Sequence, residues 1–163
     1  MDQFNFQNNL LKLSVRKSPL FIRSVLFLLA FAFFIFPSTG MLVSITSGDG
    51  FRFFHLIAIG IFSLLGFYLL RIALWNTYGE EIILISKDKL TYEANYGWFK
   101  DAKKTIAFES IDYSILPIGY EEDNKGALVI ENRETKIECA VKMPKEQLEE
   151  LILLVKNKYQ VLF

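Results

Sequence analysis

The hydrophobic and polar positions of this chain follow two different patterns, one before and one after residue 75. Between residues 24 and 75 the apolar residues run almost without interruption, whereas from residue 78 onward they alternate with polar residues in short segments. Unbroken apolar runs are typical of membrane-spanning helices, and alternation is typical of half-buried strands. The pattern therefore predicts a membrane-embedded part followed by a water-soluble part.

Two stretches are long enough to cross a bilayer, since a helix needs roughly 20 apolar residues to span the hydrocarbon core. They are residues 24–45 and 54–75, and together they predict an antiparallel two-helix hairpin over residues 24–75. Pro37 interrupts the first stretch. Because proline removes one helical hydrogen bond, we expect a kink at this position, or alternatively a helix that ends at Phe36.

Basic residues flank the predicted hairpin on one side and give its expected orientation. They are Lys12, Arg16, Lys17 and Arg23 before the first helix and Arg71, Lys87 and Lys89 after the second, against Arg52 alone in the loop. Since Lys and Arg near spans are retained in the cytoplasm, both termini are predicted to be cytoplasmic. Arg23, Arg71, Trp75 and Tyr78 are the predicted anchors at the membrane interface. A cleaved signal peptide is the alternative, in which the second helix still tethers the C-terminal half.

Residues 1–23 are predicted to form a cytoplasmic N-terminal segment. Phe6, Leu10 and Leu13 recur with helical spacing, which would suit a short amphipathic helix on the inner leaflet. Several asparagines in the same stretch are unfavourable for a helix. We therefore expect either an interfacial helix or a loosely ordered tail.

Residues 78–163 carry the pattern of six short strands followed by one helix. In the second strand, for example, Leu90, Tyr92 and Ala94 alternate with polar residues. The other five segments are EIILIS, KTIAFES, SIDYSIL, GALVIEN and TKIECAV, and their order predicts an antiparallel meander. After Pro144 the apolar residues recur every three or four positions, which predicts an amphipathic helix that covers the sheet. The predicted fold is a membrane α-helical hairpin plus an α+β soluble domain.

This order of elements resembles the bacterial PH-like proteins, in which a pleckstrin-homology-type split barrel is attached to transmembrane helices. The resemblance covers residues 78–159 and depends on a first hairpin, an aromatic-glycine turn at residues 96–99, a basic third strand and a final helix. It implies an antiparallel PH-like split β-barrel of six to seven strands closed by the C-terminal helix. The seventh strand would be the YGWFK segment or would be missing. The resemblance also implies a bacterial inner-membrane protein without catalytic residues.

The composition removes the usual catalytic classes. The single cysteine, Cys139, alternates with apolar residues and is predicted to be a buried thiol. One cysteine and one histidine do not make a typical zinc site, and no phosphate-binding or nucleophile motif is present. We therefore predict a non-enzymatic protein with no cofactor and no metal.

The charge balance of the soluble part disfavours nucleic acid as a partner. Six of the 18 basic and two of the 18 acidic residues precede Trp75, so 12 basic and 16 acidic residues follow it, a net charge of −4. A nucleic-acid-binding surface normally carries an excess of basic residues. The predicted partners are instead the lipid bilayer and another membrane or cytoplasmic protein.

Five lysines are the candidate contacts with lipid or with a protein partner, namely Lys87, Lys89, Lys100, Lys103 and Lys104. An anionic leaflet would attract each by about 1 kcal/mol. Because the net charge of −4 opposes attraction to an anionic leaflet, an ordinary solvated face is the favoured interpretation of these lysines.

The predicted function is a membrane-anchored PH-like scaffold that presents its barrel for protein or peptide docking. A lipid or small-ligand binding protein, or an accessory subunit of a membrane transporter, is the alternative. Small residues on the second helix are predicted to face the first helix, and they would also permit a homo-oligomer. They are Gly60, Ser63, Gly66 and Ala73.

Overall fold

The computed structural model describes residues 3–107 and 110–160. The chain forms two compact units. The helical unit is Lys17–Thr77, and the β unit consists of the described residues of Met1–Arg16 and Tyr78–Phe163. The chain thus enters the helical unit from the β unit and returns to it.

Two long helices make up the helical unit, α1 (Leu20–Thr46) and α2 (Phe53–Tyr78), whose final residue already belongs to the β unit. Both are long and apolar enough to cross a membrane, and only 6% of the most apolar 18-residue stretch of each helix is buried. At 1.5 Å per residue each helix is roughly 40 Å long, which exceeds the hydrocarbon thickness of a bilayer. The prediction of two such helices is confirmed.

Helix α1 continues through Pro37, so the expectation that it ends at Phe36 is wrong. Hydroxyl groups on the following two residues donate to carbonyls one turn earlier: Ser38 Oγ to Phe34 O at 2.8 Å and Thr39 Oγ1 to Ile35 O at 3.0 Å. Side-chain donors of this kind satisfy carbonyls in the region that a proline disturbs, and they allow a helix to continue in lipid.

The two helices approach each other closely at Gly66. A Cβ atom added there would lie 3.1 Å from the carbonyl oxygen of Ala30 and 2.8 Å from the ring of Phe34. Ala73 on the same helix is also buried, whereas a Cβ at Gly60 would meet nothing within 4 Å. The prediction that small residues face the first helix therefore holds at Gly66 and not at Gly60.

The described residues of the β unit form eight antiparallel strands in two sheets, followed by one helix. The first sheet has the order β1 (Phe4–Gln7), β2 (Leu10–Ser14), β3 (Glu80–Ile85), β4 (Lys89–Asn95) and β5 (Lys100–Ala107). The second sheet has the order β6 (Asp112–Pro117), β7 (Lys125–Glu131) and β8 (Lys136–Pro144), and α3 (Lys145–Gln160) follows it. The six strands and the helix predicted after the hairpin are confirmed. The described strands do not close into a barrel.

The N-terminal segment is a β-hairpin, so the expectation of an interfacial helix or a loose tail is wrong. Asn8 and Asn9 both have positive φ, 46° and 65°, as a two-residue type I′ turn requires. Leu11 and Leu13 are 1% and 0% exposed, whereas Lys12 between them is exposed. Pairing of β2 with β3 buries these leucines and outweighs the helical spacing of the more widely separated apolar residues.

Residues 96–99 of the YGWFK segment form the turn between β4 and β5, and Lys100 begins β5, so the segment is not a seventh strand. The N–H of Tyr96 donates to the carbonyl of Phe99 at 2.9 Å. Gly97 between them has φ +87°. Positive φ at the first central residue is typical of the tight turns that connect hairpin strands.

Helix α3 covers the second sheet. Leu148, Leu151 and Val155 on one helical face are buried, and α3 contacts all three strands of that sheet. A Cβ at Gly126 on β7 would lie 2.6 Å from Ile115 and 3.2 Å from Leu148. This glycine therefore allows the helix and β6 to pack tightly over the sheet.

Candidate functional site

A buried carboxylate connects the two sheets of the β unit. Glu81 on β3 is 0% exposed. Its Oε1 accepts hydrogen bonds from the hydroxyl of Tyr92 and from the backbone N–H of Ala140, both at 2.6 Å. Its Oε2 accepts from the N–H of Val141 at 3.1 Å. Donors from both sheets therefore converge on one side chain.

The two backbone donors come from a bulge in β8. The register of β7 against β8 shifts between Ala127 and Val129, so residues 139–141 of β8 lie opposite one residue of β7. A bulge leaves backbone groups without partners in the strand ladder. Glu81 supplies an acceptor for two of these groups, which explains why a carboxylate is retained in an apolar core.

Burial raises the pKa values of all three titratable side chains in this cluster. Burial raises the pKa of Glu81, while the hydrogen bonds from Tyr92 and from the backbone of β8 partly oppose the shift. Burial and the nearby Glu81 carboxylate raise the pKa of Tyr92. Burial, more than the same carboxylate, raises the pKa of the Cys139 thiol, so this thiol is protonated and unsuited to nucleophilic chemistry.

The residues that the structure describes contain no group of three or more His, Cys, Asp or Glu side chains that could hold a metal ion. The Glu81 carboxylate already accepts three hydrogen bonds from the protein. The polar atoms of the buried cluster are thus used to join the sheets.

The five candidate lysines do not form one cluster. Lys87 lies in the turn between β3 and β4, and Lys89 begins β4. Lys100 pairs with Asn95 at the opposite end of β4. Six residues of strand separate the two ends by about 20 Å. A lipid or protein surface that contacts one end is therefore well separated from the other.

Lys100 and Lys104 each have an acidic neighbour. Lys100 Nζ lies 3.0 Å from Glu93 Oε2 in an exposed ion pair. Lys104 lies opposite Tyr92, on the face of the first sheet that is turned toward the core. The hydrogen bond and charge of Lys136 lower the pKa of Glu138 on β8, and the charge of Lys104 adds to this effect.

Strand β5 is an edge strand on which lysines protect the sheet. It pairs only with β4 among the described strands, and Ile106 is its one buried residue. The strand bulges at Ala102, which has φ +55° and whose N–H donates to Asp101 Oδ1 at 2.7 Å. Lysines and bulges on an edge hinder the addition of a further strand. This role accounts for Lys103 and Lys104 without a ligand.

The four predicted anchors lie at the helix ends that are next to the β unit in the chain. Arg23 is in the first turn of α1, and Arg71 lies seven residues before the end of α2. Trp75 is in the last turn of α2, and Tyr78, its final residue, is 50% exposed.

Two residues that matter in this arrangement were missed in the sequence. Glu81 could have been found, because the alternation of Glu81, Ile83 and Ile85 places the carboxylate on the apolar face of β3. Trp98 was predicted as part of the aromatic-glycine turn but not as a site residue, and it is 62% exposed between β4 and β5.

No protein-family model, curated protein or solved structure matches this chain.

Proposed function

We propose that this protein is a non-enzymatic, membrane-anchored PH-like interaction module. In this proposal, α1 and α2 cross the inner membrane of a bacterium as a hairpin. The β unit lies at the cytoplasmic face and docks another membrane or cytoplasmic protein.

The pairing of β2 with β3 is the observation that carries the proposal. The chain leaves the β unit after β2 and returns to it at β3, and the N–H of Val15 donates to the carbonyl of Gly79 at 3.0 Å. An inserted segment whose two ends are hydrogen-bonded neighbours begins and ends on the same side of a bilayer. Two spanning helices meet this requirement, and one or three would not. The basic residues at these ends favour the cytoplasmic side.

The large apolar side chains of the helices support insertion into lipid. Many are at least 40% exposed, among them Leu28, Phe36, Phe54, Leu64 and Phe67. An apolar surface of this extent is not stable in water and is covered by lipid or by another protein.

The strand count supports the PH-like assignment. Strands β2 to β5 and β6 to β8 give four and three antiparallel strands, and a C-terminal helix covers the second group. In this interpretation the seventh strand is β2, which precedes the membrane hairpin in the chain, and β1 is an additional edge strand.

The sheet edges favour docking at β1 or β6. Each pairs with one neighbour only among the described strands, so each is a sheet edge at which a partner strand could add. The bulge and lysines of β5 disfavour that edge, and at the fourth edge, β8, the N–H groups of Ala140 and Val141 already donate to Glu81. A partner peptide is therefore proposed to add to one of the first two edges.

Single-cysteine labelling in spheroplasts tests the topology. On a Cys139→Ala background, Asp49→Cys places a thiol in the loop between the helices, and Lys87→Cys places one in the turn after β3. A membrane-impermeant maleimide is expected to label position 49 in intact spheroplasts and position 87 only after lysis. The reverse result overturns the orientation, and equal labelling of both positions in intact spheroplasts overturns the hairpin.

Photo-crosslinking in native membranes tests the docking surface. A photoreactive amino acid at Gln7 on β1 or at Ser114 on β6 is expected to give a discrete crosslinked product. The same group at Lys103 on β5 is the matched control and is expected to give none. Products from Lys103 alone, or from no position, contradict docking at these edges.

A further inference from the structure

We propose that the turn between β4 and β5, residues 96–99, makes a second contact with the membrane, in which Trp98 lies among the lipid headgroups. This contact rests on the proposed function, because it requires that α2 span a bilayer. It differs from the lysine surface considered above, since its chemistry is that of an aromatic side chain.

The position of the turn is given by its contact with Tyr78. A Cβ atom added to Gly97 would lie 2.8 Å from the Cβ and 3.0 Å from the Cγ of Tyr78. Tyr78 is the last residue of α2 and belongs to the same compact unit as the turn. The backbone of the turn therefore touches the residue at which the second spanning helix ends.

The turn is held in a defined conformation. The rings of Tyr96 and Phe99 are stacked, with centroids 4.8 Å apart. The N–H of Gly97 donates to Asn95 Oδ1 at 2.9 Å, and its φ of +87° suits glycine. Trp98, at the tip, is 62% exposed, whereas Tyr96 is buried. The turn thus directs one large aromatic side chain outward.

The chemistry of the exposed side chain fits the headgroup region. Tryptophan combines an apolar ring with one N–H donor, and it is enriched where a membrane meets water. The charge of the neighbouring Lys100 is paired with Glu93 at 3.0 Å. Contact by Trp98 therefore does not require anionic lipid, and the proposed partner is a zwitterionic lipid surface such as phosphatidylcholine.

The chain contains two tryptophans, which allows two matched single-tryptophan proteins. Trp75→Phe leaves Trp98 as the only tryptophan, and Trp98→Phe leaves Trp75. Each full-length protein is reconstituted in phosphatidylcholine vesicles, with and without lipid brominated near the glycerol end of its acyl chains. Bromine quenches only tryptophans close to the lipid.

We expect bromine to quench both tryptophans. We also expect Trp98 to emit at a shorter wavelength than it does in the urea-unfolded protein. Quenching of Trp75 with unquenched, solvent-like Trp98 overturns this inference and leaves the membrane anchor intact. Absence of quenching at Trp75 overturns the anchor and the inference together.

A third variant serves as the control for position. Lys87→Trp, on a background in which both native tryptophans are phenylalanine, places a tryptophan in the exposed turn at the opposite end of β4. Its emission is expected to stay solvent-like and unquenched. Equal quenching at positions 87 and 98 would show that bromine acts throughout the β unit, and it would overturn a specific contact by Trp98.

Discussion

The hydroxyl of Tyr92 donates to the carboxylate of Glu81 at 2.6 Å, and the same carboxylate accepts two backbone N–H groups from β8. The first sheet is thereby hydrogen-bonded to the second through one side chain. A buried carboxylate without partners would be strongly destabilising, whereas this one has donors from both sheets. The cluster therefore fixes how the two sheets face each other.

Removal of the carboxylate is expected to destabilise the β unit more than removal of the phenol hydroxyl. Glu81→Ala leaves three buried donors without an acceptor and should cost about 3–5 kcal/mol. Tyr92→Phe removes one donor and should cost about 1.5–3 kcal/mol. Both losses of stability are measured by denaturant unfolding of the detergent-solubilised protein, monitored by the circular dichroism of its β-sheets. If the phenylalanine variant were the less stable of the two, Glu81 would not be the link between the sheets.

The stability contributed by Glu81 is expected to fall as the pH rises. Burial raises its pKa in the folded protein above the ordinary value, so the folded state binds the proton more tightly than the unfolded state does. The stabilisation is then fully present below the unfolded pKa and is lost as the pH rises through the raised, folded pKa. Tyr92 and Cys139 stay protonated in this range because their pKa values are also raised.

Glu81→Gln is the reference for this measurement because it cannot titrate. The melting temperature of the wild type relative to this variant should decrease as the pH rises from the ordinary pKa of a glutamate toward neutrality. A difference that stays constant across this range would contradict a raised pKa at Glu81.

The sequence predicted the helices and strands well where a single hydrophobic period dominates a segment. The unbroken apolar runs and the alternation in strands such as β4 gave both helices and six strands, since these patterns reflect burial directly. The N-terminal hairpin was missed because Phe6, Leu10 and Leu13 fit a helical period as well as a strand period. Its partner β3 lies more than 60 residues later in the chain. Pairing over such a distance leaves no local signal.

The separation of the candidate lysines along the hairpin could not be predicted from the sequence, for a related reason. They are close in sequence, but β4 separates Lys89 from Lys100 by its whole length. Proximity in a hairpin depends on register, which sequence spacing alone does not supply.

Two neighbouring residues of β2 test whether the N-terminal hairpin is part of the fold. Leu13 is 0% exposed and Lys12 is exposed. Leu13→Asp places a charge in the core and should destabilise the β unit by more than about 3 kcal/mol, whereas Lys12→Asp should change stability by less than about 0.5 kcal/mol. Denaturant unfolding compares the two. If both substitutions changed the stability equally little, the N-terminal segment would be a tail and not part of the fold.

The packing of the helical hairpin is tested by two glycines on α2. Gly66→Leu would drive a side chain into Ala30 and Phe34, whereas Gly60→Leu would meet open space. The first substitution should destabilise the hairpin by about 1–3 kcal/mol, and the second should have little effect. Unfolding in mixed micelles of increasing SDS content, followed by helix signal, measures the difference. Similar curves for both variants would contradict close approach of the helices at Gly66.

The contact between Gly97 and Tyr78 can be separated from backbone strain by comparison with Gly119. The two glycines have nearly the same φ, +87° and +88°, so an alanine at either position carries a similar strain of about 1–2 kcal/mol. At Gly119 the neighbour of the new Cβ is the carboxylate of Asp123, which can rotate away. At Gly97 the neighbour is the Cβ of Tyr78, which cannot move without the backbone. Gly97→Ala should therefore be less stable than Gly119→Ala by a further 1 kcal/mol or so in denaturant unfolding, and equal stabilities would mean that the turn does not pack against the end of α2.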